Sequence, residues 1–599
     1  MRMVLLYPPP WKIPAPGEAP DPSFYGPPDD AASRRTSADF VTMPYGLLSL
    51  AAQGLRAGHE VKALNLSALP WRQVEELLGN LEADLYGLSC FTGNRRGVDW
   101  TSQVIRRCHP NAHITVGGPH VTALPSQTLE HWSAIDTVVV GEGEQTFLEL
   151  ASRLETGLSI EDLPGAAWRD ALGRIQLGPP RERIRDLDSL APVQEHFATH
   201  VLLTSRGCPG QCTFCGSKVM WGRRVALHSA QYTLSVLERL LPKLNPKVIF
   251  FKDDTFTVNR ARSLAICRGI RQRGLNFLWS CDSRADALDE EVLREMRLAG
   301  CQQIALGVES GSPEILANIK KRISLDQVRQ ATQAAKKYGL RVRYYMMAGN
   351  RGETLQTFQQ SLDFLRETQP HQAVFCLLSI YPGTEEFDIL RERGRLRDED
   401  FWQSKSQEVQ VFADCSMEDA REIFRWGAAR TGLQQLHEDS VEHLQAVLDR
   451  LAELPAAHLD LGAAYVRAQQ LDAGQRHIER ALELGYPMPV ICHNYLACIA
   501  AAHSDWGAMQ AHVRAALAAP WHSALLANVQ TLQRWLDSGR PNKGVPVSLQ
   551  VGHDLSGVVC RPQQPILPAP IRPEDLRWPQ DTEPAVSCRE AVGGASPRP

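Results

Sequence analysis

The sequence predicts an α/β protein that continues into an all-helical C-terminal region. Three observations support this fold class: two successive series of short aliphatic or β-branched runs that alternate with amphipathic segments, and a later helical pattern that repeats every 34 residues. Because 599 residues exceed what one hydrophobic core can organise, we expect several domains.

The first series, residues 1–165, predicts a doubly wound parallel sheet. Such sheets bind ligands at the carboxyl ends of their strands, so the loops there are the candidate sites. The loop over residues 8–39 is rich in Pro, Gly and Asp and is too long for an ordinary connection. The predicted strands cover residues 3–7, 60–66, 85–90, 113–117 and 137–140.

The second series, residues 199–410, follows a predicted linker over residues 166–198. Six repeats of strand and helix indicate a parallel barrel or partial barrel rather than another open sheet. The predicted strands cover residues 201–204, 248–251, 277–281, 303–307, 341–348 and 374–380.

The β pattern ends near Asp414, and residues 411–538 are predicted to be helical. At a spacing of 34 residues, Tyr465 matches Ile499 and Ala473 matches Gly507, which resembles tetratricopeptide repeats. These repeats could cap the barrel or bind a protein partner. Residues 539–599 are dense in proline and are predicted to be largely disordered.

Composition excludes some classes of function. Hydrophobic residues make up 43% of the chain and the net charge is -4, so no broad cationic surface for nucleic acid is expected. No run approaches the roughly 18 apolar residues of a membrane helix. The 14 cysteines are scattered along the chain, which favours reduced thiols and a cytoplasmic enzyme.

One group of cysteines lies in a short loop after the first strand of the second series. The sequence there reads Cys208-Pro-Gly-Gln-Cys212-Thr-Phe-Cys215. Three thiolates on a loop with glycine and proline can converge on one centre. A structural zinc site would use four protein ligands, whereas three leave one metal position open. No fourth cysteine follows within this loop.

This spacing resembles the signature of the radical S-adenosylmethionine (SAM) superfamily. The resemblance implies that Cys208, Cys212 and Cys215 bind a [4Fe-4S] cluster whose fourth iron binds SAM. It also implies that Phe214 lies beside the adenine, and that Asp254, Arg284 and Glu309 contact SAM. Supporting segments cover residues 251–256, 283–286, 307–311, 349–354 and 381–384, although Arg351 stands where proline is usual.

The first domain resembles Rossmann-like cobalamin-binding domains. Ser89 ends one predicted strand, Gly117-Gly118 ends the next, and Glu142 follows the fifth. Glycines fit there because the nucleotide tail of the corrin passes close to the backbone. The resemblance implies cobalamin contacts at Ser89, Gly117, Gly118 and Glu142. A flavodoxin-like domain with another ligand, or with none, is the alternative.

The cobalt-binding histidine element Asp-x-His-x-x-Gly is absent after the first strand. The resemblance therefore implies cobalamin with no histidine ligand to cobalt. Relatives carry Ser-x-Tyr-x-Trp-Asn near the lower face, whereas this chain reads Ser89-Cys-Phe91-Thr-Gly93-Asn94. Gly93 and Asn94 are the matching cobalamin candidates, and Arg95 is a further one.

Together these resemblances imply a cobalamin-dependent radical SAM methyltransferase. One SAM would methylate cobalamin and a second would yield a radical, so that an unactivated carbon of a small molecule or peptide precursor is methylated. A flavodoxin or ferredoxin would supply electrons. Two alternatives remain: a related enzyme that rearranges or oxidatively cyclises its substrate, and an iron-sulfur redox sensor whose helical repeats recruit a partner.

Overall fold

The computed structural model describes residues 1–9, 43–67, 69, 71–397, 399–402, 417–429, 432–519, 522–537, 547–558 and 586–590. Nearly all of the long loop predicted over residues 8–39 lies outside these ranges. The described residues form two large sheets followed by a helical region, so the predicted fold class is confirmed.

The first sheet contains β1 (Arg2–Tyr7), β2 (Glu60–Asn65), β3 (Leu85–Ser89), β4 (His113–Gly117), β5 (Thr137–Val139), β6 (Ala166–Arg169) and β7 (Ile175–Leu177). Its strand order is β2-β1-β3-β4-β5-β6-β7. The pairs among β1 to β5 are parallel, as expected for a doubly wound sheet. The order reverses between β1 and β3, and such sheets bind ligands at that switch point.

Amphipathic helices cover this sheet. In the helix Arg95–Cys108, the buried residues Val98, Thr101, Ser102 and Ile105 recur at helical spacing, which gives one inward face. The other helices are Tyr45–Arg56, Trp71–Gly79, Pro119–Ala123, Pro125–His131 and Gly143–Thr156.

The end of the first domain differs from the prediction. β6 and β7 fall within the predicted linker, residues 166–198, yet they extend the first sheet in antiparallel register from β5. Their turn is closed by Asp170, whose carboxylate accepts the backbone N–H groups of Leu172 and Arg174, and by Gly173 with φ +75°. These strands are only three or four residues long, too short to show the alternation that predicts a strand.

The second sheet begins with β8 (Val201–Leu202), which is followed by a small antiparallel pair, β9 (Ser205–Arg206) and β10 (Ala226–Leu227). The sheet continues with β11 (Val248–Phe251), β12 (Leu278–Ser283), β13 (Cys301–Glu309), β14 (Arg341–Ala348), β15 (Gln372–Leu377) and β16 (Gly432–Gln435). Its order is β16-β15-β14-β13-β12-β11-β8, with β8 and β16 at opposite edges. Within the described ranges this is a partial barrel.

The six strands β8 and β11 to β15 pair in parallel, and β16 adds to β15 in antiparallel register. β16 lies where the sequence predicts only helix. On β13, Ile304, Leu306 and Val308 alternate outward into the largest core, which they form with the surrounding helices. Those helices are Ser217–Trp221, Ala230–Leu240, Arg260–Gln272, Glu290–Leu298, Pro313–Asn318, Leu325–Lys337, Leu355–Thr368 and Glu385–Glu392.

The C-terminal region is helical, as predicted. Its helices are Glu399–Trp402, Met417–Ala429, Val441–Arg450, Pro455–Arg467, Leu471–Glu483, Pro489–Ala502, Trp506–Leu517 and Ser523–Asp537. Two helical hairpins follow the repeat, because Pro455 and Pro489 each occupy the first turn of the first helix. Membership of the tetratricopeptide family stays a prediction. None of the helices in the described ranges is long and apolar enough to cross a membrane.

The predicted disordered tail contains two strands. β17 (Val547–Val551) and β18 (Val586–Glu590) pair in parallel. Leu549 is buried in one apolar cluster with the helical hairpins and with Val248 and Leu278, the first residues of β11 and β12. The helical region and this tail segment therefore pack under the amino-terminal ends of the barrel strands, opposite the end where the cysteine loop leaves β8.

Candidate functional site

The cysteine loop is anchored at its base by a buried carboxylate. Asp253, just after β11, accepts the backbone N–H groups of Thr204 at 2.5 Å and Ser205 at 3.0 Å. Gly207 follows with φ +91°, and a Cβ there would lie 2.9 Å from a backbone oxygen of Arg224. Glycine is therefore required for the turn that leads into Cys208.

The three thiols lie close together within this loop. Cys208 and Cys212 flank Gly210, since a Cβ on Gly210 would lie 3.3 Å and 3.9 Å from their sulfurs. The same Cβ would lie 3.1 Å from an Arg284 guanidinium nitrogen. Burial raises the pKa of Cys215 to about 11, and its charge interacts with both other cysteines.

The donor set fits a cluster with three protein ligands. Burial raises the pKa of Cys212, while the positive charges of Lys321 and Arg284 favour its thiolate. Among the described residues, no three His, Cys, Asp or Glu side chains converge tightly enough to hold a single metal ion. Three soft thiolates beside two cations suit an iron-sulfur cluster, which is larger than one ion and carries negative charge.

The middle of the loop is fixed by a second buried network. The Thr213 hydroxyl donates to Glu386 at 2.8 Å, and the Glu386 N–H donates to the Thr213 carbonyl at 2.9 Å. Arg351 donates from Nε to Glu386 at 3.0 Å and also binds the Asn318 carbonyl. The residue that replaces the usual proline at position 351 thus holds the cysteine loop through Glu386.

Two of the predicted SAM contacts lie beside the thiols. Arg284 is buried next to Cys208 and Cys212, and it forms two hydrogen bonds of 2.9 Å with Asp286. Asp254 is exposed and accepts the hydroxyl of Ser217 at 2.7 Å, two residues after Cys215. Each side chain therefore faces the cysteine loop.

Glu309 and Phe214 occupy the other two predicted SAM positions. Glu309 has φ +71°, an uncommon conformation for a residue with a side chain, and its carboxylate accepts Lys321 Nζ at 2.8 Å. Both partners are buried, and Lys321 also influences Cys212 electrostatically. Phe214 is half-buried against the barrel core. The role of all four residues in binding SAM stays a prediction.

The buried carboxylate of Glu353 is expected to make the stability of the barrel depend on pH. Its carboxylate is buried and accepts the N–H groups of Gly349 at 2.6 Å and Asn350 at 3.2 Å. Burial raises the pKa of Glu353 to about 7 despite these bonds. The folded protein therefore keeps a proton that the unfolded chain releases, so the free energy of unfolding should fall as pH rises from about 4.5 to 7.

We expect Glu353→Gln to remove this dependence, which amounts to about 3 kcal/mol of unfolding free energy across that pH range. Urea denaturation of both proteins at several pH values measures it. The exposed Glu314→Gln is the matched control and should retain the wild-type slope. Parallel slopes for Glu353→Gln and wild type would contradict the prediction.

The concave face of the barrel carries polar side chains above its floor. Tyr345 donates to Asp282 at 3.4 Å, although β13 lies between their strands, and Lys252 Nζ lies 3.7 Å from the same carboxylate. Strand alternation places only one of the two adjacent tyrosines inward. It is Tyr345, because the hydroxyl of the buried Tyr344 pairs with Thr332 on an outer helix.

The loop after β3 is closed by Asn94. Its amide donates to the carbonyls of Ser89 at 3.0 Å and Pro8 at 3.3 Å, and its oxygen accepts the N–H of Phe91 at 2.8 Å. Asn94 is buried, so its side chain shapes this loop. A Cβ on Gly93 would meet nothing within 4 Å, and the Phe91 ring is 41% exposed. Gly93 and Phe91 are thus the open surface of the loop.

The loop after β4 approaches the β3 loop through a glycine. Gly118 has φ +114°, and a Cβ there would lie 2.5 Å from the Cys90 carbonyl oxygen. A Cβ on Gly117 would come no closer than 3.6 Å to any atom, so only Gly118 is constrained by the fold. The two loops form one edge at the carboxyl ends of β3 and β4.

We expect Gly118→Ala to weaken cobalamin binding about tenfold or more, because the added methyl group and the positive φ push the two loops apart. Titration of corrin absorbance into the apoprotein measures the change. The control is Gly79→Ala at the end of the helix Trp71–Gly79, where a Cβ meets nothing within 4 Å. Equal affinities in the two variants would contradict this assignment.

A buried ion network joins the two sheets. Arg206, two residues before Cys208, donates to Glu142 at 2.7 Å and to Glu144 at 2.5 Å. Glu142 also accepts the Ile184 N–H at 2.8 Å, and Glu144 accepts the Ser49 hydroxyl at 2.7 Å. Both oxygens of Glu142 are therefore engaged by the protein. Burial raises the pKa of Glu144, but Arg206 more than offsets this effect and the pKa is lowered.

Sequence reasoning did not select Arg206, Glu144 and Lys321. The first two carry opposite charges at the carboxyl ends of strands in different sheets, Arg206 beside the cysteines and Glu144 in the segment Gly141-Glu142-Gly143-Glu144. That complementarity was a usable signal. Lys321 follows a helix in a segment without a motif, so only the fold reveals that it lies near Cys212.

Known proteins share both halves of this site. Residues 202–365 match the radical SAM superfamily and residues 34–151 match the B12 binding domain. An uncharacterized methyltransferase of Pyrococcus horikoshii is 32% identical over 371 residues, which cover 60% of this chain and 80% of the relative. The anaerobic magnesium-protoporphyrin IX monomethyl ester cyclase of Rubrivivax gelatinosus is 25% identical over 54% of this chain and 61% of that protein.

The fold also matches a solved structure. The radical SAM methyltransferase TsrM of Kitasatospora setae, with cobalamin and a [4Fe-4S] cluster bound, superimposes with a TM-score of 0.52 at 18% identity. The match covers 65% of this chain and 75% of that one. At this identity the similarity concerns the fold.

Proposed function

The chain belongs to the cobalamin-binding radical SAM enzymes, and we propose that it is a methyltransferase that moves a methyl group from SAM, by way of cobalamin, to a carbon of a small molecule. Its cofactors are a [4Fe-4S] cluster, SAM and cobalamin. The Pyrococcus relative, which is called a methyltransferase, supports methyl transfer over rearrangement.

The observation that carries the proposal is the network of Arg206, Glu142 and Glu144. It fixes the start of the cysteine loop against the start of the helix after β5. A cluster at the cysteines and a corrin at the carboxyl edge of the first sheet would then face each other. Methyl transfer from SAM to a second cofactor needs this proximity, because reacting atoms must meet at near-contact distance.

We assign the chain's own residues as follows. When bound, the cluster and cobalamin supply the cleavage of SAM and the carriage of its methyl group. Cys208, Cys212 and Cys215 hold three irons, and Arg284, Asp254, Glu309 and Phe214 orient SAM. Ser89, Gly93, Gly117 and Gly118 line the corrin. Asn94 and Glu142 hold the loops that carry these contacts, and Lys321 keeps Glu309 in place.

The substrate is expected in the concave face of the barrel. Lys252, Asp282 and Tyr345 line it with one cationic, one anionic and one hydroxyl group. A few such polar groups on a binding face are enough to orient a ligand, and they suit one that carries polar groups of its own. A polar substrate is therefore favoured. Electrons would come from a flavodoxin or ferredoxin.

Transfer of labelled methyl groups tests the proposal without knowledge of the substrate. The full chain, reconstituted anaerobically with iron, sulfide and reduced cobalamin, is mixed with [methyl-14C]SAM and desalted. We expect close to one label per bound corrin and an equal amount of S-adenosylhomocysteine. If 5′-deoxyadenosine forms while no label joins the corrin, the enzyme is one of the non-methylating kind and the proposal is wrong.

A further inference from the structure

Three polar residues of the helical region recur at one position of the repeat. Asp460, Asn494 and Asn528 are each 34 residues apart and lie on the first helix of three successive units. Those helices are Pro455–Arg467, Pro489–Ala502 and Ser523–Asp537. A constant position in a stacked repeat places the three side chains in one row along one face. We name this row the polar ladder.

The polar ladder binds the main chain of one tail residue. The Asn528 oxygen accepts the Gln550 N–H at 2.6 Å, and its Nδ2 donates to the Gln550 carbonyl at 2.8 Å. Asn494 donates to the same carbonyl at 2.9 Å and accepts from Asn528 at 2.8 Å. Two asparagines therefore satisfy both backbone groups of Gln550, and none of these three bonds involves the Gln550 side chain.

Apolar side chains on either side of Gln550 fill the space around the polar ladder. Leu549, Val551 and Leu555 are buried, and all three belong to the apolar cluster of the helical hairpins. Asn494 and Asn528 are buried as well. Unpaired amides there would be costly, so the groove requires an extended backbone opposite them.

The remaining member of the polar ladder connects the segment to the barrel. Asp460 accepts His553 Nε2 at 2.9 Å and pairs with the buried Arg297 beneath the barrel core. Beyond His553, Asp554 accepts the side-chain amide of Gln372, the first residue of β15, at 3.4 Å. Residues 547–558 thus lie between the helical groove and the floor of the barrel.

We infer that this groove is a peptide-binding site whose occupant is the chain's own segment 547–558, and that an extended peptide with the same apolar spacing replaces it in trans. The spacing is an apolar residue at the positions of Leu549, Val551 and Leu555. Because the asparagines bind the main chain, almost any residue type can stand at position 550. Binding then depends on an extended backbone and on the spacing of the apolar side chains. This inference does not depend on the methyltransferase proposal.

A labelled peptide tests the inference directly. The probe is a fluorescent peptide with the sequence of residues 547–558, and the protein is the full chain carrying Leu549→Asp and Val551→Asp, which removes the internal occupant. We expect this variant to bind the probe at least tenfold more tightly than wild type, measured by fluorescence anisotropy. Adding Asn528→Ala should weaken binding at least tenfold.

Matched peptides separate main-chain recognition from side-chain recognition. The probe with Gln550→Ala should bind like the original, whereas Gln550→Pro should not bind, because proline lacks the N–H that Asn528 accepts. The inference is wrong if the alanine and proline peptides bind equally. It is also wrong if the variant with Leu549→Asp and Val551→Asp binds no probe although its circular dichroism spectrum matches that of wild type.

If the variant with Leu549→Asp and Val551→Asp does not fold, hydrogen exchange on protein that keeps segment 547–558 in place tests the inference instead. In Asn528→Ala, the Gln550 amide should exchange at least tenfold faster than in wild type. The control is Gln475→Ala, a partly exposed residue on another helix of the same region, which should leave that rate unchanged. An unchanged rate in Asn528→Ala would overturn the role of the polar ladder.

Discussion

Cys212→Ala is expected to abolish cluster assembly at the partial barrel and to lower SAM cleavage by more than about a thousandfold. The thiol is buried between Arg284, Lys321 and the other cysteines, and no other described Cys, His, Asp or Glu completes a metal group there. Iron and sulfide content, together with the electron paramagnetic resonance of the reduced protein, measure assembly. 5′-Deoxyadenosine formation measures cleavage.

The matched control is Cys108→Ala, which removes an exposed thiol from the end of a helix in the first domain. It should retain full iron content and activity. Four irons per chain in Cys212→Ala, with wild-type spectra, would contradict the assignment of this loop.

Arg206→Met is expected to destabilise the protein by about 3–5 kcal/mol, because it leaves the carboxylates of Glu142 and Glu144 buried without their partner. The side chain of Arg206 is 11% exposed, and those of Glu142 and Glu144 are 9% and 7% exposed. The same change should uncouple the two cofactor sites, since the network joins the cysteine loop to the first domain. Urea denaturation measures stability, and label transfer to the corrin measures coupling.

Arg260→Met is the control for this loss. Arg260 also pairs with two carboxylates, Asp289 and Glu291, but all three side chains are about half exposed, so water screens the charges. Its removal should change stability little and leave methyl transfer intact. If Arg206→Met were as stable and as active as Arg260→Met, the network would not organise the site.

The two parallel sheets and the cysteine loop could be predicted from the sequence. Strands such as β1 and β4 are mainly apolar runs that end at or just before a glycine or proline. The spacing of the cysteines can be read whatever the exact bounds of the neighbouring strands. β6, β7 and β16 could not be predicted, because strands of three or four residues are too short to show a period. Their stability comes from neighbours that are distant in sequence.

Contacts that individual side chains make with other loops were the other part that the sequence did not predict. Asn94 and Glu142 were identified as cobalamin candidates by position, but their side chains hold neighbouring segments of the protein. Lys321 approaches Cys212 only after the barrel forms. Such roles depend on which loops lie next to one another at the carboxyl ends of the strands. A single sequence does not show which loops these are.

The floor beneath β11 and β12 includes Leu549, which a ribosome adds long after the barrel strands themselves. Domains fold during translation from the amino terminus onward. The amino-terminal ends of the barrel strands would therefore stay uncovered until the later residues are made. We therefore expect the barrel to reach its full stability only after segment 547–558 has been synthesised and has packed beneath it. The helical region and segment 547–558 thus complete the core beneath the barrel strands after those strands have been made.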